Sequence, residues 1–324
     1  MLDKIITVTP SPCLDVSLWV DAPYCRFDSL NSEPAIVNRE HIDAGGKGVN
    51  VSRVLTNLGR QNISLSITGN KNQSAFTEIL DTECVEYDCI EYTGSIRENF
   101  TITLSDGKVM KIDRKGDPIG EKDIIELKQR ILNNIIDARS TLVHFGGSLP
   151  IGMDKGEYIS LINNIASTGA KISIDSAILT IEDYLKIRPY MIKPNLAELS
   201  FASGRIISSI DDVMGAIRPL RNAVTHILVS MGEEGLFYAH EDGNIIAVPP
   251  VVKAVSTVGA GDTTVAGFIH ALGNEQGIAD TVRYAAACGT ASVLLEGTKA
   301  ITSKMAADML EAIKLQECGE DMVL

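Results

Sequence analysis

No run of apolar residues in this 324-residue chain approaches the ~18 that a membrane-spanning helix needs. The opening Met1-Leu2-Asp3-Lys4 has neither the basic start nor the long apolar stretch of a signal peptide, so a cytoplasmic location is expected. Positive charge is short: 29 Lys and Arg stand against 42 Asp and Glu, a formal net charge of -13. That balance argues against the broad basic footprint of a nucleic-acid binder, though an anionic small molecule can still bind where cations or backbone N–H groups gather locally. The six cysteines, at 13, 25, 84, 89, 288 and 318, include no Cys-x-x-Cys pair and no histidine at ligand spacing. Structural zinc is therefore not expected, and the thiols read as reduced packing groups. Internal repeats and low-complexity tracts are also missing. With 45% hydrophobic and 22% charged residues, disordered and fibrous classes fall away, and the length allows one large domain or two ordinary ones.

Short apolar runs alternate with segments of helical period over most of the chain. The runs at 5–9, 63–68, 142–145, 171–175, 191–193 and 227–230 read as buried strands. Helical periodicity marks 49–58, 124–136, 155–166 and 213–222, then 263–272, 279–294 and 304–315. This rhythm predicts an α/β fold of βαβ units around a mostly parallel sheet. Two stretches break it. Residues 14–21 alternate strictly, with Leu14, Val16, Leu18 and Val20 on one face, as a half-exposed antiparallel strand does. Residues 99–104 and 108–112 flank Ser105-Asp106-Gly107, a hairpin turn. Strands from about 12–40 and 96–113 are therefore expected to form a small accessory β-sheet, a lid over the carboxyl ends of the core strands within a single domain spanning 1–324.

Two glycine motifs carry chemistry. In Ser256-Thr257-Val258-Gly259-Ala260-Gly261-Asp262, followed by an apolar helix, the glycines let backbone N–H groups converge at a helix start, which makes an anion hole. A carboxylate beside it, Asp262, can take the proton of an attacking hydroxyl while the hole holds the transferred group. In Ala44-Gly45-Gly46-Lys47-Gly48-Val49-Asn50 a tight turn allows a ligand close approach, with Lys47 adding charge and Asn50 paired donors and acceptors. Neither the Walker phosphate loop nor the dinucleotide fingerprint is met. Gly146-Gly147-Ser148-Leu149-Pro150 begins like a nucleophile elbow, but Pro150 stands where the last glycine belongs. His144 and His226 lie in apolar strand runs and read as core histidines, so a serine hydrolase is set aside.

Together the two glycine motifs resemble the paired signatures of the PfkB (ribokinase-like) carbohydrate kinases. Pro12-Cys13-Leu14-Asp15, Arg97-x-Asn99, Gly147-Ser148-Leu149-Pro150, Lys193-Pro194-Asn195-x-x-Glu198 and Ser230-Met231-Gly232-x-x-Gly235 follow in the family's order and spacing, from roughly 10 to 298. Asn50-Val51-Ser52-Arg53 and the Ser256–Asp262 motif look most like the ketohexose-phosphate branch, which includes 1-phosphofructokinase and tagatose-6-phosphate kinase. The resemblance implies a ribokinase-like three-layer fold with a β lid, and an ATP- and Mg²⁺-dependent kinase producing a 1,6-bisphosphate. It implies Asp262 as catalytic base and the amides of Gly259, Ala260 and Gly261 as the hole for the γ-phosphoryl group. It implies Lys193, Asn195, Ser230, Gly232, Gly235 and Thr257 on the nucleotide, and Glu198 on Mg²⁺ through water. Asp15, Gly45, Gly46 and Asn50 would meet the sugar, and Lys47, Arg97 and Asn99 the phosphate it already carries. Relatives often pair through the lid sheet, so a homodimer is expected.

Several positions depart from that pattern. Ser11 and Cys13 stand where the branch usually has Asn and Ala in Asn-Pro-Ala-Leu-Asp. Asp113-Arg114-Lys115-Gly116-Asp117-Pro118 replaces a common Asn-Glu-Pro-Gly-Pro, and Asp175-Ser176-Ala177 an Asp-Ser-Gly-type segment. These leave the transfer machinery untouched and bear on the substrate, with Arg114 and Lys115 adding positive charge near its phosphate. The other readings are a kinase of an unphosphorylated sugar or nucleoside, which needs no cation cluster, and a silent sugar-phosphate sensor, which would bind without turnover.

Overall fold

The computed structural model describes residues 2–21, 36–240 and 243–318. Strand β1 (Lys4–Thr9), an apolar and β-branched run, is buried along nearly its whole length. The chain then leaves the core for β2 (Cys13–Asp21) and β3 (Ile36–Gly45) and returns in α1 (Lys47–Asn57). β4 (Ile63–Gly69), α2 (Gln73–Thr82) and β5 (Tyr87–Tyr92) follow. β6 (Arg97–Leu104) and β7 (Val109–Asp113) form a hairpin whose Gly107 takes φ 83°. Next come α3 (Glu121–Asn134), β8 (Thr141–Gly146), α4 (Lys155–Ala166), β9 (Lys171–Asp175), α5 (Ile181–Ile187), β10 (Met191–Ile192), α6 (Leu196–Ser203) and α7 (Ile210–Ile217). β11 (His226–Ser230), β12 (Leu236–His240) and β13 (Gly243–Val248) precede α8 (Ala260–Gly273), α9 (Ile278–Ser292), α10 (Ser303–Leu310) and β14 (Lys314–Cys318).

The main sheet has ten strands in the order β14-β13-β12-β11-β10-β9-β8-β1-β4-β5. All pairings from β11 to β5 are parallel, while β12, β13 and β14 add antiparallel at one edge. Helices cover both faces. Tyr158, Leu127 and Phe145 lie in one apolar layer, and Leu55, Val265 and Phe268 in the other. The second sheet has four strands, β3-β2-β6-β7. This is the three-layer α/β fold with a β lid that the sequence implies. No helix among the described residues is long and apolar enough to cross a membrane.

The structure corrects three expectations. The periodic stretch 304–315 is not one helix, because α10 stops at Leu310 and Lys314–Cys318 pairs with β13. Apolar Ile313 and Leu315 suit both periods there, and the open edge of β13 decides between them. The helix expected at 213–222 begins earlier and ends at Ile217, since Pro219, with no N–H to give, sits in a separate 3-10 turn at Arg218–Leu220. The lid is mixed rather than antiparallel, with β2 antiparallel to β3 but parallel to β6. Leu14, Val16 and Val20 are buried within this one chain, and Leu14 packs with Val49, Phe76 and Leu80. Residues 22–35 of the expected lid, and Cys25 with them, fall outside the described residues. His144 and His226 are core histidines: Nδ1 of each meets a hydroxyl, Ser173 at 2.9 Å and Tyr238 at 2.8 Å. Burial pushes His144 down to about 4 and His226 to about 3, so both stay neutral.

Candidate active site

The predicted residues gather where the parallel strands end, the general ligand position of open α/β sheets. Gly46 turns the chain from β3 into α1 at φ 120°, and a Cβ there would lie 2.6 Å from Thr9 Cγ2. Only glycine allows both the dihedral and the approach. The turn puts Lys47 and Asn50 three residues apart in the first turn of α1, so both project from one face.

Lys47 Nζ lies 2.8 Å from Asp175 Oδ1 and 2.8 Å from Glu198 Oε1. Lys193 Nζ lies 3.1 Å from Asp175 Oδ2. Asp175, the last residue of β9, is thus a fully buried carboxylate between two ammonium groups. Burial alone would raise its pKa, but Lys193 and Lys47 outweigh it and hold it below the usual carboxylate range. Burial opposes the charge on Lys47 too, and Asp175 with Glu198 overcomes it, so the ammonium stays protonated.

Asp262 sits in the first turn of α8, after Gly259 at φ 79°. Its Oδ2 accepts from Asn50 Nδ2 at 2.8 Å. Burial first, and then the negative charge of Asp175, push its pKa up to about 7, against the pull of Asn50 and the two lysines. Two carboxylates in one dry site are thereby separated: Asp175 is held ionised, and Asp262 is poised to exchange a proton near neutrality. Gly261 lies beneath Lys193, whose Nζ would be 2.9 Å from a Cβ there. At this helix start the amide of Ala260 has only a long bond to Thr257 O, 3.4 Å, and those of Gly259 and Gly261 have no acceptor among the described residues. The amides, the positive end of the helix dipole and the Lys193 ammonium together concentrate positive potential beside Asp262.

Asn195 and Glu198, expected on nucleotide and Mg²⁺, form the capping box of α6: Glu198 N donates to Asn195 Oδ1 at 2.8 Å and Asn195 N to Glu198 Oε2 at 2.9 Å. The cap fixes Glu198 so that Oε1 meets Lys47. Ser230 N donates to Pro194 O at 3.0 Å, and its buried hydroxyl has no partner. Gly235, at φ 104°, is required where the turn runs against Ala247 O, which a Cβ would meet at 2.1 Å. Among the described residues no hydrogen bond joins Gly232, Gly235 or Thr257 to Lys47, Asp175, Lys193 or Asp262.

A second group lies on the lid. The parallel register of β2 and β6 sets Cys13 opposite Arg97 and Asp15 opposite Asn99. Asn99 Nδ2 donates to Asp15 Oδ1 at 2.9 Å, Cys13 Sγ to the same oxygen at 3.3 Å, and Arg97 Nη1 to Asn99 Oδ1 at 3.2 Å. Gly45 packs against the other oxygen of Asp15, which a Cβ would meet at 2.2 Å. Lys47, expected beside Arg97 and Asn99, has its ammonium paired with Asp175 and Glu198. Asp175 is the residue that sequence reasoning missed. The available signal was an acidic side chain closing a buried core strand at its carboxyl end.

Among the described residues no cluster of three or more His, Cys, Asp or Glu forms a metal cage. Asp175 and Glu198 still fit Mg²⁺, a hard cation that keeps several waters and rides on substrate phosphates.

Residues 20–305 match the pfkB family of carbohydrate kinases. The chain is 33% identical to the 1-phosphofructokinase of Vibrio cholerae serotype O1 over 270 residues, 83% of this chain and 82% of that one. It is 28% identical to the tagatose-6-phosphate kinase of Staphylococcus epidermidis over 317 residues, 97% and 99% of the two chains. Phosphofructokinase-2 from Escherichia coli, solved in complex with substrates and products, superposes with a TM-score of 0.85 at 25% identity, covering 95% of this chain and 98% of that one. The glycine-flanked carboxylate at a helix start thus sits in the fold and the family that its motif implied: this chain belongs to the pfkB family of carbohydrate kinases, phosphotransferases with an alcohol group as acceptor.

Proposed function

We propose that the protein transfers the γ-phosphoryl group of ATP, in the cytoplasm, to a ketohexose phosphate, fructose 1-phosphate or tagatose 6-phosphate, giving a 1,6-bisphosphate. The observation that carries the transfer chemistry is the buried Asp262 beside the open amides of Gly259, Ala260 and Gly261. Asp262 accepts the proton of the acceptor hydroxyl as its oxygen bonds to the γ-phosphorus. The bond to the bridging oxygen breaks, and ADP leaves with that electron pair. The amides and Lys193 oppose charge on the transferring group, and Lys47, tethered by Asp175 and Glu198, stands at the same point. Asp175 and Glu198 would hold Mg²⁺ through water, and the ion would supply positive charge against the nucleotide phosphates. Asp15, oriented by Asn99 and Cys13, receives sugar hydroxyls; Arg97 and Asn99 meet the substrate phosphate. Lys193, Asn195, Ser230, Gly232, Gly235 and Thr257 line the nucleotide side.

The lid also favours pairing of two copies. Its edge strands β3 and β7 expose Ile36, Val37, Val109 and Ile112, and open strand edges take a partner readily. Light scattering should give twice the 34.9 kDa chain mass, and a 34.9 kDa species would refute the dimer. The enzyme test is ADP release with Mg-ATP across fructose 1-phosphate, tagatose 6-phosphate, fructose 6-phosphate, fructose, ribose and adenosine. Turnover of a phospho-ketohexose, lost in Asp262→Asn, supports the reading. Turnover of neutral acceptors alone refutes the phosphate site, and binding with no turnover indicates a sensor.

A further inference from the structure

Behind the Gly45-Gly46 turn lies a cavity of about 400 Å³. Its wall includes Ser11 and Pro12, which back Gly46, and Ser148, which follows Gly147 beside the start of α1. The cavity therefore adjoins the sugar side of the site. Arg97 lines it, and that guanidinium is poorly satisfied: 3.2 Å to Asn99, 3.5 Å to Ser11 O, and a buried Nε with no partner. Among the described residues no carboxylate lies within ion-pair reach of it. A half-buried cation without a counter-charge calls for an anion.

A strap completes the wall. Residues 113–117 are tied back over 95–98: Arg114 N donates to Glu98 O at 3.1 Å, Ser95 N to Asp117 Oδ2 at 2.9 Å, and Gly116 packs on Arg97, with 3.6 Å from a Cβ there to the Arg97 Cβ. Arg114 Nη1 is bound to Glu98 at 2.5 Å, so its charge is already matched. Lys115 lines the same cavity and has no ion pair among the described residues. We propose that Lys115 is a specificity residue of the acceptor site, the second cation that, with Arg97, holds the phosphate the sugar already carries, and that Arg114 positions the strap presenting it. This rests on the phospho-ketohexose reading above. A phosphate ester carries about −1.5 to −2 near pH 7, more than one arginine can balance. Asp113 and Asp117 share the wall and, with Arg114 matched by Glu98, balance Arg97 and Lys115, so without Lys115 the wall would be net negative.

The test is steady-state kinetics of Lys115→Ala and Lys115→Arg with the phospho-ketohexose that wild type turns over. Lys115 is exposed on the strap, so folding should be undisturbed, and thermal melting checks this. Lys115→Ala is expected to raise KM for the phospho-sugar about tenfold, the worth of one exposed charge-assisted bond, while kcat and KM for ATP stay as they are. Lys115→Arg should restore most of it. The wild-type KM should rise as the phosphate takes up its second proton below about pH 6, and less steeply in Lys115→Ala. A phospho-sugar KM within twofold of wild type overturns the role of Lys115 and leaves the kinase reading standing. A fall in kcat with no change in KM also overturns it, as a structural effect. Wild type active on neutral sugars alone overturns both.

Discussion

Replacing Asp262 by Asn should slow catalysis steeply and at the same time stabilise the free protein, by an amount that depends on pH. The carboxyl is buried and its pKa stands at about 7, against 3.8 for a free aspartate. Three pKa units correspond to roughly 4 kcal/mol at 1.36 kcal/mol per unit, which is what the folded state loses by the time Asp262 is ionised. The sign follows from proton uptake. Below pH 4 the carboxyl is protonated in folded and unfolded chains alike, and nothing is lost. Between 4 and 7 the unfolded chain ionises and the folded one does not, so stability falls as pH rises, and it levels off above about 8. Asparagine keeps the shape and can accept from Asn50 Nδ2 through its own oxygen, without the charge. Denaturant melts of wild type and Asp262→Asn without nucleotide should differ by about 1 kcal/mol at pH 4.5 and by about 4 kcal/mol at pH 8, while kcat falls by about 10²- to 10⁴-fold. A stability gap that is the same at both pH values would show that Asp262 is not held neutral by burial. The argument for its role as a base tuned to neutrality would then be lost.

Other outcomes follow from the same contacts. Because Asn50 lowers the Asp262 pKa and Asp175 raises it, the acid limb of kcat/KM should move up in Asn50→Ala and down in Asp175→Asn; shifts in the same direction would refute the assignment. Gly46→Ala meets Thr9 Cγ2 and an unfavourable φ, and displacing the α1 start by even 1 Å should cost about 100-fold in kcat/KM at little change in fold, read by circular dichroism. Arg53 is buried against Asp43, Thr298 and the half-buried Glu83, joining α1 to the lid strand β3, and Arg53→Met should destabilise by about 3 kcal/mol in denaturant melts by leaving the buried Asp43 carboxylate without its guanidinium.

The parallel core was legible because its buried strands carry short apolar stretches between helical segments, and β8, β9 and β11 lie within a residue of their expected places. The antiparallel edge was not, since β12 is as apolar as a core strand and nothing in it marks the reversed direction, β13 opens on Gly243-Asn244, and β14 pairs on the edge that β13 leaves open. The same division runs through the site. Gly259, Gly261 and Asp262 act within one turn of one helix, so neighbouring letters contain their chemistry. Asp175 acts through Lys47, 128 positions before it, and Lys193, 18 positions after it, and no local pattern joins the three. The fold brings them together because β9, β10 and the β3–α1 turn all end on the same side of the sheet. Lys47 shows the consequence: its charge and glycine surroundings were plain, but its pairing with Asp175 and Glu198 was not. A motif reports which groups are present, whereas the pKa of each depends on long-range neighbours. Asp175 and Asp262 are alike in type and burial, and they differ because two ammonium groups reach one of them and an amide reaches the other.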